Sequence, residues 1–113
     1  MPRYRETVPI DDYVLDVLMP DLVGHDRQPA AFLVYLYLYR HAQRQKWRPV
    51  TASLRMVAEA TGLSKSTAQI AVEKLRARQL IRSTKDYSTA MFQHRLLRYW
   101  RDPTAARRPT NRR

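Results

Sequence analysis

Apolar residues recur at helical intervals through most of the chain and at shorter intervals near its end. The segment Asp11 to Met19, DDYVLDVLM, reads as a short helix. Asp11 or Asp12 is placed to cap it, its acids suit the positive end of the helix dipole, and Pro20 stops it. Asp21 to Gln28, with Gly24, reads as a connecting loop. Pro29 fits the first position of a second helix, which runs to about Lys46. Within it, Val34 to Tyr39 alternates tyrosine with aliphatic residues, which is a strand signature. The proline start, the lack of any further glycine or proline, and the polar tail Arg40, Gln43, Arg44, Gln45 and Lys46 favour helix. A helix so apolar all round must be covered on more than one side. One face suits the core. The other, with Tyr35, Tyr37 and Tyr39, suits the N-terminal helix or a second subunit, because tyrosine buries a ring and keeps a hydroxyl to hydrogen-bond.

Trp47 to Ala52 is a loop or a short strand, with Pro49 forcing the residue before it toward extended geometry. Ser53 is a good cap for a helix from about Leu54 to Thr61. Gly62 ends that helix, as the residue that tolerates positive φ. Ser64 caps the next, Lys65 to about Arg78. From Leu80 the apolar period shortens toward two. Leu80 to Lys85 and Ala90 to Leu96 read as two strands around the turn Asp86-Tyr87-Ser88-Thr89. Leu97 to Arg101 either extends the second strand or begins a terminal helix. The first ten residues hold two prolines and no periodicity, and read as an extended arm. The end, DPTAARRPTNRR, has no large apolar residue and is expected to be disordered.

The two helices on either side of Gly62 have the layout of a helix-turn-helix. The crossing of such helices requires a small residue midway along the first, and Ala58 fills that role. Leu63 plugs the space beneath the turn. Val57 on the first helix faces Ala68, Ala71, Val72 and Leu75 on the second, an inward stripe at intervals of three or four. The outward stripe is then Lys65, Ser66, Gln69, Ile70, Glu73 and Lys74. Residues near the start of a recognition helix are the ones that reach base edges. Gln69 can bond adenine in two-pronged fashion, Ser66 can bond most bases, and Ile70 can touch a thymine methyl. Ser64, Thr67 and the first backbone amides suit a phosphate at the positive helix end. Lys65, Arg55 and Lys74 suit phosphates as point charges. A strand pair after the recognition helix makes a wing, which puts Arg82, Lys85, Tyr87 and Ser88 near the flanking backbone or minor groove.

Charge sharpens this picture. The chain of 113 residues carries a net charge of +11, about one domain's length with an excess that points to a polyanionic partner. The excess is uneven. Residues 1–28 hold three arginines and six acids, net −3, so the remainder carries +14. A merely solubilising surface would mix the signs.

Residues 29–98 resemble a bacterial or phage winged helix-turn-helix domain. The segment SLRMVAEATGLSKSTAQIAVEKLRARQLI is similar to one shared by GntR-type and MarR-type regulators and by helix-turn-helix domains of phage and plasmid replication proteins. The matching positions are Val57, Ala58, Thr61, Gly62, Leu63, Ser64, Thr67, Val72, Leu75, Leu80 and Ile81. The resemblance implies DNA binding, a dimer, and readers at Lys65, Ser66, Thr67 and Gln69. Two positions depart from the pattern: Ala68 stands where valine is usual, and Gln79 where glycine is usual before Leu80. No ligand domain follows, so no small-molecule effector is expected.

Other chemistry finds no support. There is no cysteine, which excludes disulfides and thiol catalysis and suits a reducing cytoplasm. His25, His41 and His94 lack metal-ligand spacing, and two glycines make no phosphate-cradling loop. No enzyme activity, cofactor or metal is expected. The longest apolar run, Ala30 to Tyr39, spans ten residues, against roughly twenty for a membrane span. The expected fold is mainly α with a small β-hairpin, a winged helix-turn-helix over residues 29–101. An N-terminal arm and short helix (1–28) precede it, and a basic tail (102–113) follows. The expected function is sequence-specific binding of double-stranded DNA by a homodimeric transcription regulator. The alternatives are the DNA-docking module of a replication or partition protein, a protein-interaction winged helix, and RNA binding led by the arginine tail.

Overall fold

The computed structural model describes residues 7–85, 87 and 91–101. Three α-helices and a small sheet share one core. Helix α1 spans Pro29–Arg44, α2 spans Leu54–Thr61 and α3 spans Lys65–Ala77. Proline at the start of α1 pre-sets the helical φ and wastes no donor. Strand alternation at 34–39 yields to the helix: Val34, Tyr35, Leu38 and Tyr39 are all buried, while Leu33 faces out. Tyr35 and Tyr39 are covered by the chain itself, so no second copy is needed to bury them.

The N-terminal segment departs from expectation. Pro20 does not stop the helix. Wide helical turns run over Val14–Leu18 and again over Pro20–His25, with Met19 N–H bonding Val14 O and Asp26 N–H bonding Asp21 O. A proline at the first position of a helical segment gives up a donor that would be unpaired there, so the chain re-enters the helix at once. The segment read as a loop is therefore mostly helical. Val14, Leu18 and Leu22 are fully buried and lie in the same core as α1. Asp11 is no cap either, because its carboxylate is held by the other end of the chain, as described below.

The sheet also exceeds expectation. Strand β1, Val50–Thr51, joins β2, Ile81–Thr84, and β3, Gln93–Leu96, in the order β1-β3-β2, all antiparallel. The hairpin strands are where the pattern puts them, though shorter. Of their turn only Tyr87 is among the described residues; the rest of it, Ala90, the first six residues and the basic tail lie outside them. One sheet face (Ile81 with Leu96, Val50 with His94) turns to the core, and the other carries Arg82 opposite Arg95 and Thr84 opposite Gln93. Tyr99–Arg101 then forms a single 3-10 turn.

That last turn closes against the start of the chain. Trp100 stacks on Tyr13 with ring centroids 4.5 Å apart. Tyr99 meets both rings edge-on. Trp100 Nε1 donates to Asp11 Oδ2 at 2.8 Å, and Arg101 donates to both Asp11 oxygens at 2.7 Å. Nearby, the Arg98 guanidinium lies 3.4 Å above the Trp47 ring, which meets Tyr39 edge-on. Desolvation of this kind favours flat, amphipathic partners over an isolated charge.

Candidate nucleic-acid interface

Helices α2 and α3 meet at a turn built as the sequence predicts. Ser53 caps α2 by accepting from Met56 N–H at 3.1 Å. Gly62 takes φ +78°, its N–H bonding Ala58 O, and Leu63 N–H bonds the same carbonyl. Thr61 Oγ1 donates back to Val57 O at 2.7 Å, which seals the last turn. Ala58 and Ala68 are small and buried where the helices cross, and Val57, Ala71, Val72 and Leu75 complete the contact. Each of these side chains lacks polar atoms, so no donor is stranded in the crossing.

Ser64 caps α3. Its Oγ accepts from Thr67 N–H at 3.1 Å and donates to Thr67 Oγ1 at 2.9 Å; Ser66 Oγ lies at 3.3 Å. The three hydroxyls thus cluster at the positive end of the helix, with Ser64 and Ser66 exposed and Thr67 half-buried. Such an end attracts an anion through its unpaired amides and its dipole. The Ser64 hydroxyl is occupied by the cap, however, so a phosphate there would be met by Lys65, Ser66 and the amides first.

Beyond the cap, Lys65, Ser66, Gln69, Ile70, Glu73 and Arg76 all face solvent. Ile70 is 53% exposed, an aliphatic side chain with no intramolecular reason to point outward. Gln69 Nε2 donates to Glu73 Oε2 at 3.4 Å. That bond ties the amide to the next turn, and Glu73 adds an acceptor to the same face. The mix suits base edges, which offer donors, acceptors and methyl groups.

The other expected contacts fall in different places. Arg55 lies on α2, exposed, and pairs with Glu59 at 3.1 Å. An exposed pair of this kind is worth at most about 0.5 kcal/mol, so it does not hinder exchange of the carboxylate for a phosphate. Lys74 turns off the outward face toward the N-terminal helical segment. Its Nζ lies 4.0 Å from Asp26, and its side chain is only one-third exposed. Lys74 belongs with Arg78, which bridges Asp21 and Asp26 at 3.3 and 3.5 Å. Arg82 and Lys85 extend from the wing strand and are exposed, with Lys85 Nζ 4.6 Å above the Phe92 ring. Tyr87 is strongly exposed; Ser88 lies outside the described residues.

Two residues were missed by the pattern. Arg76 continues the outward stripe of α3 one turn past Glu73, a spacing that could have revealed it. Arg95, opposite Arg82 in the sheet, could not be found without the strand register.

His94 sits beneath the wing, 3% exposed, with Ser83 Oγ 2.8 Å from its Nδ1. Burial pushes its pKa below the ordinary histidine value, and nearby Arg76 adds to the effect; a hydrogen bond to the Ala52 backbone opposes them. It is a structural group with a neutral ring. Among the described residues no cluster of histidine and carboxylate side chains is arranged to hold a metal, and no helix is long and apolar enough to cross a membrane.

Comparison with known proteins agrees with the geometry. Residues 28–81 match a protein family described as a helix-turn-helix domain. No curated protein and no solved structure gives a significant match. The matched segment covers α1, β1, α2 and α3 and stops as β2 begins, and the β2–β3 hairpin is the wing. Residues 28–81 therefore have the fold of a helix-turn-helix domain, here followed by a wing.

Proposed function

We propose that the protein reads a specific sequence in double-stranded DNA and acts as a homodimeric, non-enzymatic regulator of transcription. The observation that carries this reading is the outer face of α3. It presents Lys65, Ser66, Gln69 and Ile70 to solvent from a firmly capped helix, with no acidic side chain before Glu73. Phosphate contacts from lysine and arginine supply most of the affinity, and Ser66, Gln69 and Ile70 supply the selectivity.

Support for a dimer comes from Leu15, Met19, Val23 and Leu33. Each is 38–45% exposed, and they sit on the N-terminal helical segments and α1, which pack together. Two such protomers would set recognition helices about 34 Å apart, on successive major grooves.

Selection of bound fragments from a random duplex pool tests specificity and symmetry together. The expected product is an enriched motif with two related half-sites. Recovery of unenriched sequence would remove the sequence-specific reading. An enriched single half-site, together with monomeric sedimentation at roughly the concentrations used for binding, would remove the dimer.

A further inference from the structure

The basic side chains of the described residues are not equally provided for. Arg55, Lys74, Arg78 and Arg101 each have a carboxylate within 4.0 Å. No described carboxylate comes that close to Arg76, Arg82 or Arg95. Arg82 and Arg95 are direct partners in the β2–β3 register. Side chains so placed have Cβ atoms about 5 Å apart, and like charges there destabilise the sheet.

Beside this pair, a groove of about 360 Å³ runs between the end of α3 and the edge strand β2. Arg76, Gln79, Arg82 and Ser83 line it, over Ile81 and Leu97. Two guanidinium groups and an amide thus border one concave, open surface, while the Ser83 hydroxyl is engaged by His94 Nδ1 at 2.8 Å. Guanidinium forks match the oxygens of a phosphate, and an amide adds a neutral donor.

Position gives the groove its partner. Arg76 lies on the same outward stripe as Ser66, Gln69 and Glu73, about 16 Å along the axis from Lys65 at 1.5 Å per residue. The major groove of DNA is about 12 Å wide, with a phosphate backbone on each side. A helix laid in it with its capped end at one backbone brings its far end to the other.

We infer that the Arg76–Arg82 groove seats a backbone phosphate on the side of the major groove opposite the one met at the start of α3. The inference rests on the DNA-binding reading above and specifies a second anchor for it. The anchor fixes how α3 lies in the groove and carries no sequence information of its own.

The test is duplex binding by the full chain across a range of salt, for the wild type, Arg76→Gln, Arg82→Gln and the double variant. Each single change is expected to weaken binding several-fold, equally for a preferred and a scrambled duplex. Each should also reduce the log–log salt slope by about 0.9 per lost phosphate contact. Arg82→Lys, which keeps the charge, should keep the slope. A double variant with the wild-type slope and affinity overturns the inference, as does a loss confined to one sequence. A wild type without salt-dependent duplex binding would instead mean that the parent reading has failed.

Inorganic phosphate supplies the second arm. If millimolar phosphate at constant ionic strength raises the melting temperature of the wild type but not of the double variant, and the two share one duplex slope, the groove is a small-anion site. The backbone assignment then falls. Because both side chains are exposed and no described carboxylate lies within 4.0 Å of either, the variants are expected to melt at or above the wild-type temperature, which keeps loss of binding distinct from loss of fold.

Discussion

Arg101 grips Asp11 from 90 positions away in sequence, with both carboxylate oxygens accepting at 2.7 Å. Trp100 adds a third donor to the same carboxylate, and the Asp11 backbone N–H donates to the Tyr39 hydroxyl at 3.0 Å. One aspartate therefore ties the first helical turn, α1 and the last described turn together.

This tie predicts an acid-sensitive element. The Arg101 bond, with help from Trp100, holds the Asp11 carboxyl well below the usual carboxylate range, against the effect of its partial burial. A folded pKa below the unfolded one gives stability that is present above the unfolded value and lost as pH falls through the folded one. Wild-type protein should accordingly lose melting temperature below about pH 4. Asp11→Asn should melt lower at neutral pH and show a shallower acid limb. Parallel acid limbs for the two proteins would show that the contact contributes nothing in solution.

A second pH dependence lies higher. Burial depresses the His94 pKa, so the unfolded chain takes up a proton before the folded chain does. Stability from this group is complete above about pH 6.5 and declines as pH falls. His41 is shifted in the same direction by partial burial, then by Arg40 and Arg44, so both act together. Denaturant midpoints at pH 7.5 and 5.5 should differ for the wild type and differ less for His94→Gln. Equal differences would assign the effect to His41 or elsewhere.

At Gly62 the cost of a side chain is isolated. A Cβ there meets nothing within 4 Å, yet φ is +78°. Gly62→Ala should therefore destabilise the protein by about 1 kcal/mol through the backbone alone. Thermal or urea denaturation measures it. A loss of 3 kcal/mol or more would mean that the turn rearranges.

Gln69 is the sharpest test of reading. Gln69→Ala is expected to relax preference at one base position by about 1–3 kcal/mol and to leave the salt slope unchanged. Affinities measured on single-base variants of the selected site decide it. Uniform weakening across all of them would make Gln69 a bystander.

Local signals made much of this legible. Ser53, Gly62 and Ser64 each act within four residues of their own position, so caps and turn could be read directly from the chain. The α3 stripe followed for the same reason, save Lys74, whose side chain is drawn aside by Asp26 from a distant segment. What sequence could not reveal depends on remote pairing. Trp47 to Ala52 could be read only as a loop or a short strand, and it is Val50 meeting His94 that decides for strand β1. Pro20, read as a stop, sits inside a helical run that α1 helps to bury. Gln79, in place of the usual glycine, simply takes φ +58°. Left-handed geometry costs a non-glycine residue about 1–2 kcal/mol, which the burial of Leu80 and Ile81 immediately after it can outweigh.

The bridge from Arg78 to Asp21 and Asp26 has a consequence for how this protein could change its target. Arg78 follows the last residue of α3, and its acidic partners lie more than fifty positions earlier. The pitch of the helical rod is thus braced from behind by side chains outside its solvent-facing stripe. Under the proposed DNA reading, shortening or lengthening that strut would re-aim an unaltered set of fingertips, so a change of preferred site need not begin on the outer face of α3.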